Sequence, residues 1–328
     1  MERYIPGMGT LREAEAFGQL PESEGGIFKA GAEGVKEILV TADGKAEFVV
    51  YEDKTLCYVK SLMGYPAIYP MTEPVYEGPA KALLMDLDGT SVKSEQFWMW
   101  IIEKTVQRLM EKESFRLKDE DEPFVSGHSV SEHLQYCINK YCPDKNVETA
   151  RSYYYEIVED EMQKIMDGRG KKGAFVPAPG LKDFLTEVKA KGIQIGLVTS
   201  GLYRKAMPEI VSAFEVMGMG DPFDFYDAII TAGTAFGRGK AGTVSELAMK
   251  PHPWLYAETA RVGLGILPGE RNRVIGMEDS SAGVLSLRLS GFPVIGIGGG
   301  NIEKASVGGL CLSRYENLCD ALPMIIGR

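Results

Sequence analysis

Histidine is almost missing from this chain, with three among 328 residues, and so is any apolar run near the roughly 18 residues that cross a bilayer. The five cysteines, Cys57, Cys137, Cys142, Cys311 and Cys319, are odd in number and scattered. That pattern fits neither a disulfide framework nor a zinc site and leaves them as packing thiols. The opening residues, MERYIPGMGTLREAEAF, lack the apolar core of a signal peptide, so the expected address is cytoplasmic. Basic charge is also short: 36 Lys and Arg stand against 46 Asp and Glu, a formal charge of −10. A nucleic-acid binder normally shows a basic face. Neither nucleic acid nor membrane is therefore an expected partner, and a small anionic substrate would need a locally basic pocket.

What is present is the composition of an ordinary folded chain, 45% hydrophobic and 25% charged, long enough for two domains and a third small one. Residues 1–79 stand apart, with two glycine-rich patches and then ILVTADGKAEFVVYEDKTLCYVK. That run reads as strands broken at Asp43-Gly44 and Asp53-Lys54, the Asp-Gly pair being a hairpin signal. The expectation is a small β-rich N-terminal domain, followed by a proline-containing linker, MTEPVYEGPA.

From Lys81 onward, short apolar runs alternate with helical stretches. Ala82–Met85, Ile193–Val198, Ala228–Ile230, Val274–Met277 and Val294–Ile297 read as strands covered on both faces. Helices are expected over Tyr203–Met217, Trp254–Gly263 and Ser281–Leu289. The class is a doubly wound α/β fold with a parallel sheet, Rossmann-like in layout. Between the first two strands, Phe97, Trp98, Ile101, Ile102, Val106, Leu109 and Met110 fall near helical spacing, and a further helix starts behind Ser129. So long an insertion reads as a helical domain over residues 93–179, leaving 80–92 and 180–328 as the core.

Four strand ends or helix starts carry candidate chemistry. The first strand delivers Asp86-Leu87-Asp88-Gly89-Thr90 to the carboxyl edge, where ligands of parallel sheets bind. Two aspartates one residue apart can diverge in role, one facing phosphate and metal, the other exchanging a proton; the plain alternative is a polar loop. Thr199-Ser200-Gly201 can hold phosphate oxygens where the chain enters a helix, although on its own it is more readily a helix cap. Lys250 opens KPHPWLY, where Pro251 and Pro253 stiffen the approach to a helix; by itself it would be a solvated surface charge. His252 has no partner at ligand spacing and receives no role. Glu278-Asp279-Ser280-Ser281-Ala282-Gly283 can complete an oxygen site for Mg²⁺, or simply cap a helix with an acidic first turn.

Taken together and in this order, the four motifs resemble the haloacid dehalogenase superfamily, in its phosphatase and phosphomutase branch with a helical cap inserted after the first motif. The resemblance covers residues 81 to 300. It implies Asp86 as a nucleophile forming an aspartyl-phosphate and Asp88 as general acid and then base. It implies phosphate binding by Thr199, the Ser200 backbone, Gly201 and, in the first motif, Gly89, with Lys250 between phosphoryl group and nucleophile. Mg²⁺ would be held by Asp279, assisted by Glu278, with the Asp86 carboxylate and the Asp88 carbonyl. Such a set suits phosphoryl transfer, where charge neutralisation on the equatorial oxygens supplies most of the stabilisation. Asp88 separates the chain from relatives that cleave carbon–halogen or carbon–phosphorus bonds, since only a phosphoester leaving group needs a proton.

Two departures stand out. Lys93 lies where many relatives carry an acid, and Trp98 lies where beta-phosphoglucomutase has a histidine. In the cap, SGHSVSEHL aligns with a substrate-reaching loop, making Ser126, His128 and Ser129 candidates for leaving-group recognition, with a capping or surface role equally open for His128. The resemblance implies a phosphatase of a small soluble phosphomonoester, sugar phosphates included. A phosphomutase is the alternative. A phosphate-binding regulatory module is a third, which the leaving-group acid Asp88 and Lys250 speak against. Finally, residues 232–249 form a long glycine-rich stretch (Gly233, Gly237, Gly239, Gly242) whose Arg238 and Lys240 would serve an anionic substrate near the site mouth, or would sit in a solvated surface loop.

Overall fold

The computed structural model describes residues 2–11, 17–60, 67–118, 120–121, 130–232 and 249–327. In chain order the strands and helices that matter are β1 (Arg3–Ile5), β2 (Gly9–Leu11), β3 (Gly18–Leu20), β4 (Glu37–Val40), β5 (Ala46–Val50), β6 (Thr55–Val59), β7 (Ala67–Pro70), β8 (Ala82–Asp86) and β9 (Val92–Lys93). Then come α1 (Glu95–Met110), α2 (Val130–Tyr141), α3 (Val147–Met166), β10 (Val176–Pro177), α4 (Leu181–Ala190), β11 (Gln194–Val198), α5 (Tyr203–Met217), α6 (Pro222–Phe225) and β12 (Ala228–Ile230). The chain closes with α7 (Trp254–Glu258), β13 (Val274–Glu278), α8 (Ser281–Leu289), β14 (Val294–Ile297), β15 (Ser313–Tyr315) and α9 (Leu322–Ile326). Two compact units result: Met1–Ser91 with Ala178–Ala206 and Asp221–Arg328, and Val92–Pro177 with Met207–Gly220.

The first unit is built on a six-stranded sheet in the order β12-β11-β8-β13-β14-β15, parallel throughout. The apolar runs explain it. Every residue of β8, β13 and β14 is buried, as strands covered on both faces require. Burying a Leu, Ile or Val side chain is worth about 1.5–3 kcal/mol, so these runs hold the sheet centre. Strand order reverses around β8, whose neighbours are β11 and β13, and ligands bind outside the carboxyl edge at such a switch point. Register does the rest: Val198 pairs with Asp86 and Met277 with Met85, so Thr199 and Glu278 emerge at the level of Asp86.

Residues expected as one helix over 254–263 differ from that expectation. The α-helix stops at Glu258 and Thr259–Gly263 continues as a π-turn. The Thr259 hydroxyl donates to Leu255 O at 2.7 Å, and Leu264 N donates five residues back, to Thr259 O at 2.8 Å. A hydroxyl bonded back into the ladder and a five-residue bond together make such a bulge.

An antiparallel sheet, β3-β4-β5-β6-β7, precedes this core within the same unit. Its β4–β5 hairpin turns at Asp43-Gly44, with Gly44 at φ +68°, a left-handed conformation that glycine adopts without Cβ strain. All of β5 is buried. On one face Phe48 and Val50 join a cluster that also holds Leu84, Leu285 and Phe292, while Val49 packs with Ile38 and Val35 on the other. The segment thus shares its main hydrophobic core with the parallel sheet. Arg288 of α8 adds a polar tie: it is 3% exposed and donates to Leu310 O (2.8 Å), Gly7 O (3.1 Å) and Met8 O (3.1 Å).

The second unit is helical. Phe97, Ile101, Ile102, Thr105, Val106 and Leu109 form the buried stripe of α1, and Phe97 packs on Phe175 with ring centroids 4.3 Å apart. Trp98 meets Phe97 edge-on at 5.2 Å. At its entry and exit, β9 and β10 pair antiparallel, Lys93 opposite Val176. Asp121, fully buried, accepts from Tyr141 Oη (2.6 Å), Lys140 Nζ (2.7 Å), Tyr136 Oη (2.8 Å) and Lys118 N (2.8 Å). Among the described residues, no helix is long and apolar enough to cross a membrane.

Candidate active site

Asp86 is the last residue of β8 and is 5% exposed. Its Oδ1 accepts from Lys250 Nζ, while Oδ2 is buried with no hydrogen-bond partner among the described residues. Burial pushes the carboxyl well above its ordinary range, Glu278, Asp279 and Asp88 push it further, and Lys250 opposes them. For Lys250, burial works against the charged form, but Asp86 and Glu278 outweigh it and hold the ammonium above its usual value. It is a fixed cation.

Glu278 closes β13 and is fully buried. Its Oε1 takes Lys250 Nζ and Tyr256 Oη, both at 2.6 Å, and Oε2 takes Ser280 N (3.2 Å) and Oγ (3.0 Å). Both oxygens are thus engaged by protein donors. Asp279 follows, receiving Thr90 Oγ1 at 3.4 Å on its carboxylate and Asn301 N at 3.1 Å on its carbonyl. The glycines of both acidic motifs have a steric reason. A Cβ on Gly89, itself at φ +89°, would run into the Asp279 carboxylate, and one on Gly283 into that of Glu278.

Asp86, Glu278 and Asp279 bring ligand oxygens within 4.8 Å of one another. A hard divalent cation fits this set: the donors are all oxygen, and Asp86 Oδ2 is an orphaned buried acceptor.

Asp88 stands slightly outward, its side chain 38% exposed. Thr199 Oγ1 donates to Asp88 Oδ2 at 3.0 Å and accepts from Gly201 N at 2.8 Å, so the hydroxyl closes its own turn and also orients the acid. Ser200 Oγ accepts from Lys250 N at 3.0 Å, linking the second motif to the third. Asp86, Asp88, Gly89, Thr199, Ser200, Gly201, Lys250, Glu278 and Asp279 therefore meet at one sheet edge. Ser126, His128, Ser129 and residues 233–248, with Arg238 and Lys240, lie outside the described residues.

Several contributors escaped the sequence reading. Tyr256 binds Glu278 and lies under Lys250, whose Nζ is 4.8 Å from the ring centroid. Lys205 Nζ lies 3.5 Å from Asp88 Oδ1. Ser91 Oγ donates to Asp86 O. His252, given no role, has its Nδ1 2.9 Å from Tyr69 Oη of the N-terminal sheet. The available signal was positional: Ser91 follows the acidic turn, and Lys205 and Tyr256 sit in the first turns of α5 and α7, beside the motifs.

The sequence profile of the family described as haloacid dehalogenase-like hydrolase matches residues 83–297. Among solved structures, a HAD-superfamily hydrolase of Geobacter sulfurreducens is similar at TM-score 0.51 and 17% identity, over 77% of this chain and 100% of that one. A predicted phosphoglycolate phosphatase of Haemophilus somnus gives 0.53 and 15%, over 75% and 98%. A protein of Thermotoga maritima designated a beta-phosphoglucomutase gives 0.51 and 17%, over 75% and 99%. Curated proteins gave no match. At such identities the structural likeness speaks for the fold alone. The profile, which covers more than half of the sequence, and the four motifs converging at the switch point of the parallel sheet carry the assignment: the chain belongs to the haloacid dehalogenase-like hydrolase family.

Proposed function

We propose that this protein is a Mg²⁺-dependent phosphatase of a small soluble phosphomonoester, acting in the cytoplasm through an aspartyl-phosphate on Asp86. The observation that carries the reading is the Asp86 carboxylate, buried, bonded on one oxygen to Lys250 and orphaned on the other. Most buried carboxylate oxygens in a folded protein are hydrogen-bonded, so an orphaned one at the ligand-binding edge of the sheet is suited to a metal or phosphoryl group.

Asp86 attacks phosphorus in line as the ester P–O bond breaks, and Asp88 gives its proton to the departing alkoxide. Asp88, now a base, takes a proton from water, which attacks the aspartyl-phosphate; inorganic phosphate leaves and Asp86 is restored. Lys250 neutralises negative charge on the nucleophile and the phosphoryl oxygens. Glu278 and Tyr256 hold that lysine in place, and Thr199 keeps Asp88 beside the reacting bond. Ser200 offers its backbone N–H group to phosphate, while that of Gly201 is held in the turn by Thr199 Oγ1. Bound Mg²⁺, held by Asp86, Asp279 and the Asp88 carbonyl, would supply further charge neutralisation.

The helical segment of residues 93–179 would be the cap and residues 80–92 with 180–328 the catalytic core, with 1–79 as an N-terminal extension. Trp98 packs on Phe97 and Phe175, at the position aligned with the mutase histidine, which favours hydrolysis over phosphomutation. The test is phosphate release from a panel of small phosphomonoesters with and without Mg²⁺. Release that requires the cation is expected for at least one ester. Conversion of a hexose 1-phosphate to its 6-phosphate without release would replace hydrolysis by mutase chemistry, and full activity in excess chelator would remove the metal.

A further inference from the structure

The family profile begins at residue 83, yet the sheet that precedes it touches the loop carrying Asp279. At the tip of the β4–β5 hairpin, Asp43 Oδ2 accepts a hydrogen bond from Ser281 Oγ. Ser281 is the first residue of α8, two after Asp279, and is fully buried. Its N–H donates to Asn301 Oδ1 at 2.7 Å, and Asn301 N donates to Asp279 O at 3.1 Å. A continuous hydrogen-bonded path thus runs from the hairpin to the backbone of Asp279.

Asp43 is itself fixed. Its Oδ1 takes Thr41 Oγ1 at 2.7 Å and Lys45 N at 3.2 Å, and the neighbouring Ala42 N donates to Ala305 O at 3.0 Å. Its side chain is 20% exposed. Burial works against ionisation, but Ser281, Thr41 and Lys45 together hold the carboxyl below its ordinary value. Groups that orient a metal ligand are commonly worth about 10- to 100-fold in metal affinity.

We infer that Asp43 is a positioning residue for the Asp86–Asp279 cation site, so that the N-terminal sheet sets the site's affinity for Mg²⁺ through Ser281. The inference rests on the metal-dependent reading above. Its scope is narrower than docking of the sheet in general, because a second tie, Tyr69 to His252, reaches the loop that follows Lys250 and no part of the Asp279 loop.

Calorimetric titration of the full chain with Mg²⁺ separates the possibilities. Asp43→Ala and Ser281→Ala should each weaken binding by about 3- to 10-fold, at or below the lower end for groups that orient a ligand directly. The double variant should be no weaker than the weaker single one, since both cut the same link. Asp43→Asn keeps an acceptor while losing the charge and should stay within about twofold of wild type, which a purely electrostatic effect would not allow. Tyr69→Phe should bind as wild type does. Should Asp43→Ala not fold, Ser281→Ala reads the same link alone. Wild-type affinity in either alanine variant, additive losses, a loss in Asp43→Asn equal to that in Asp43→Ala, or an equal loss in Tyr69→Phe would each overturn the inference. If wild type releases phosphate and Asp43→Ala binds Mg²⁺ normally, only this inference fails. If wild type takes up no Mg²⁺, the metal-dependent reading fails with it.

Discussion

Two buried clusters in this protein use the same kinds of side chain to opposite ends. In the helical unit, Asp121 is surrounded by Lys140, Tyr136, Tyr141 and a backbone N–H, every bond between 2.6 and 2.8 Å. At the sheet edge, Asp86 and Glu278 share a lysine, and Glu278 also takes a tyrosine. The difference is satisfaction. Burial would raise the Asp121 carboxyl, but Lys140, Tyr141, the Lys118 N–H and Tyr136 outweigh it and hold the group far below its ordinary value. Asp86 is pushed the other way by burial and by Glu278, and keeps an unbonded oxygen. A satisfied buried network makes one structure rigid; an unsatisfied one carries a cost that a stability-selected cluster would have shed, and such sites cluster where chemistry occurs.

The largest effect should come from exchanging each acid for its amide. Asp86→Asn should lower phosphate release by on the order of 10³-fold or more, as loss of a nucleophile does. Because it removes an undercompensated buried charge, it should also raise metal-free stability by about 1 kcal/mol. Asp121→Asn should do the reverse, costing about 2–4 kcal/mol in denaturant unfolding while leaving the kcat of the folded enzyme within about twofold. If Asp121→Asn silenced the enzyme at full stability, or Asp86→Asn unfolded it, the contrast between the clusters would collapse.

This contrast also marks what the sequence could disclose. The sheet edge was legible because each of its residues follows an apolar run or opens a helix, and Ala228–Ile230, Val294–Ile297 and the helices Tyr203–Met217 and Ser281–Leu289 fall where the pattern puts them. The Asp121 cluster was not, because Tyr136 and Tyr141 lie 15 and 20 residues away and meet it only through helix packing. Distance hid Tyr69 from His252, 183 residues apart, and Asp43 from Ser281, 238 apart. The π-turn at Thr259–Gly263 depends on a hydroxyl bonding back into its helix, which composition does not signal. Glu278 shows a subtler limit: its place beside Asp279 suggested a metal ligand, and only the geometry adds that its oxygens, within the 4.8 Å cluster with Asp86 and Asp279, also take Lys250, Tyr256 and Ser280.

A smaller effect should separate the two proton-transfer steps assigned to Asp88. With an alkyl phosphate, Asp88→Asn should lose about 10²–10³-fold in kcat, the usual worth of a positioned acid. With a nitrophenyl phosphate the leaving group needs little protonation, so Asp86 should still be phosphorylated while hydrolysis of the intermediate lags. Rapid mixing should then show a burst of about one equivalent of nitrophenol, as an accumulating covalent intermediate gives. Equal losses on both substrates with no burst would remove Asp88 from the proton-transfer role.

The smallest effect concerns a buried group elsewhere that, like Asp86, has an orphaned atom, and it asks whether an orphan alone marks chemistry. His252 is 4% exposed; Nδ1 faces Tyr69 Oη, Nε2 has no hydrogen-bond partner among the described residues, and its carbonyl accepts from Ser286 Oγ at 2.6 Å. Nothing places the ring at the reacting centre, so its consequence should be for stability. Burial lowers its basicity below the ordinary value of 6.5. Above that pH, folded and unfolded chains both carry neutral imidazole and the group adds no pH dependence. As pH falls through 6.5 the unfolded chain takes up the proton first, so folding weakens until the folded imidazole also titrates. The slope from one such group is at most about 1.4 kcal/mol per pH unit. Unfolding free energies of wild type and His252→Gln, compared at pH 7.5 and 5.5, isolate this contribution because His128 and His133 are common to both chains. The advantage of wild type should shrink towards pH 5.5, with kcat at neutral pH within about twofold in the variant. A constant difference across that range would mean that the imidazole of His252 keeps its ordinary basicity in the fold, and a large loss of kcat would move the ring from scaffold to site.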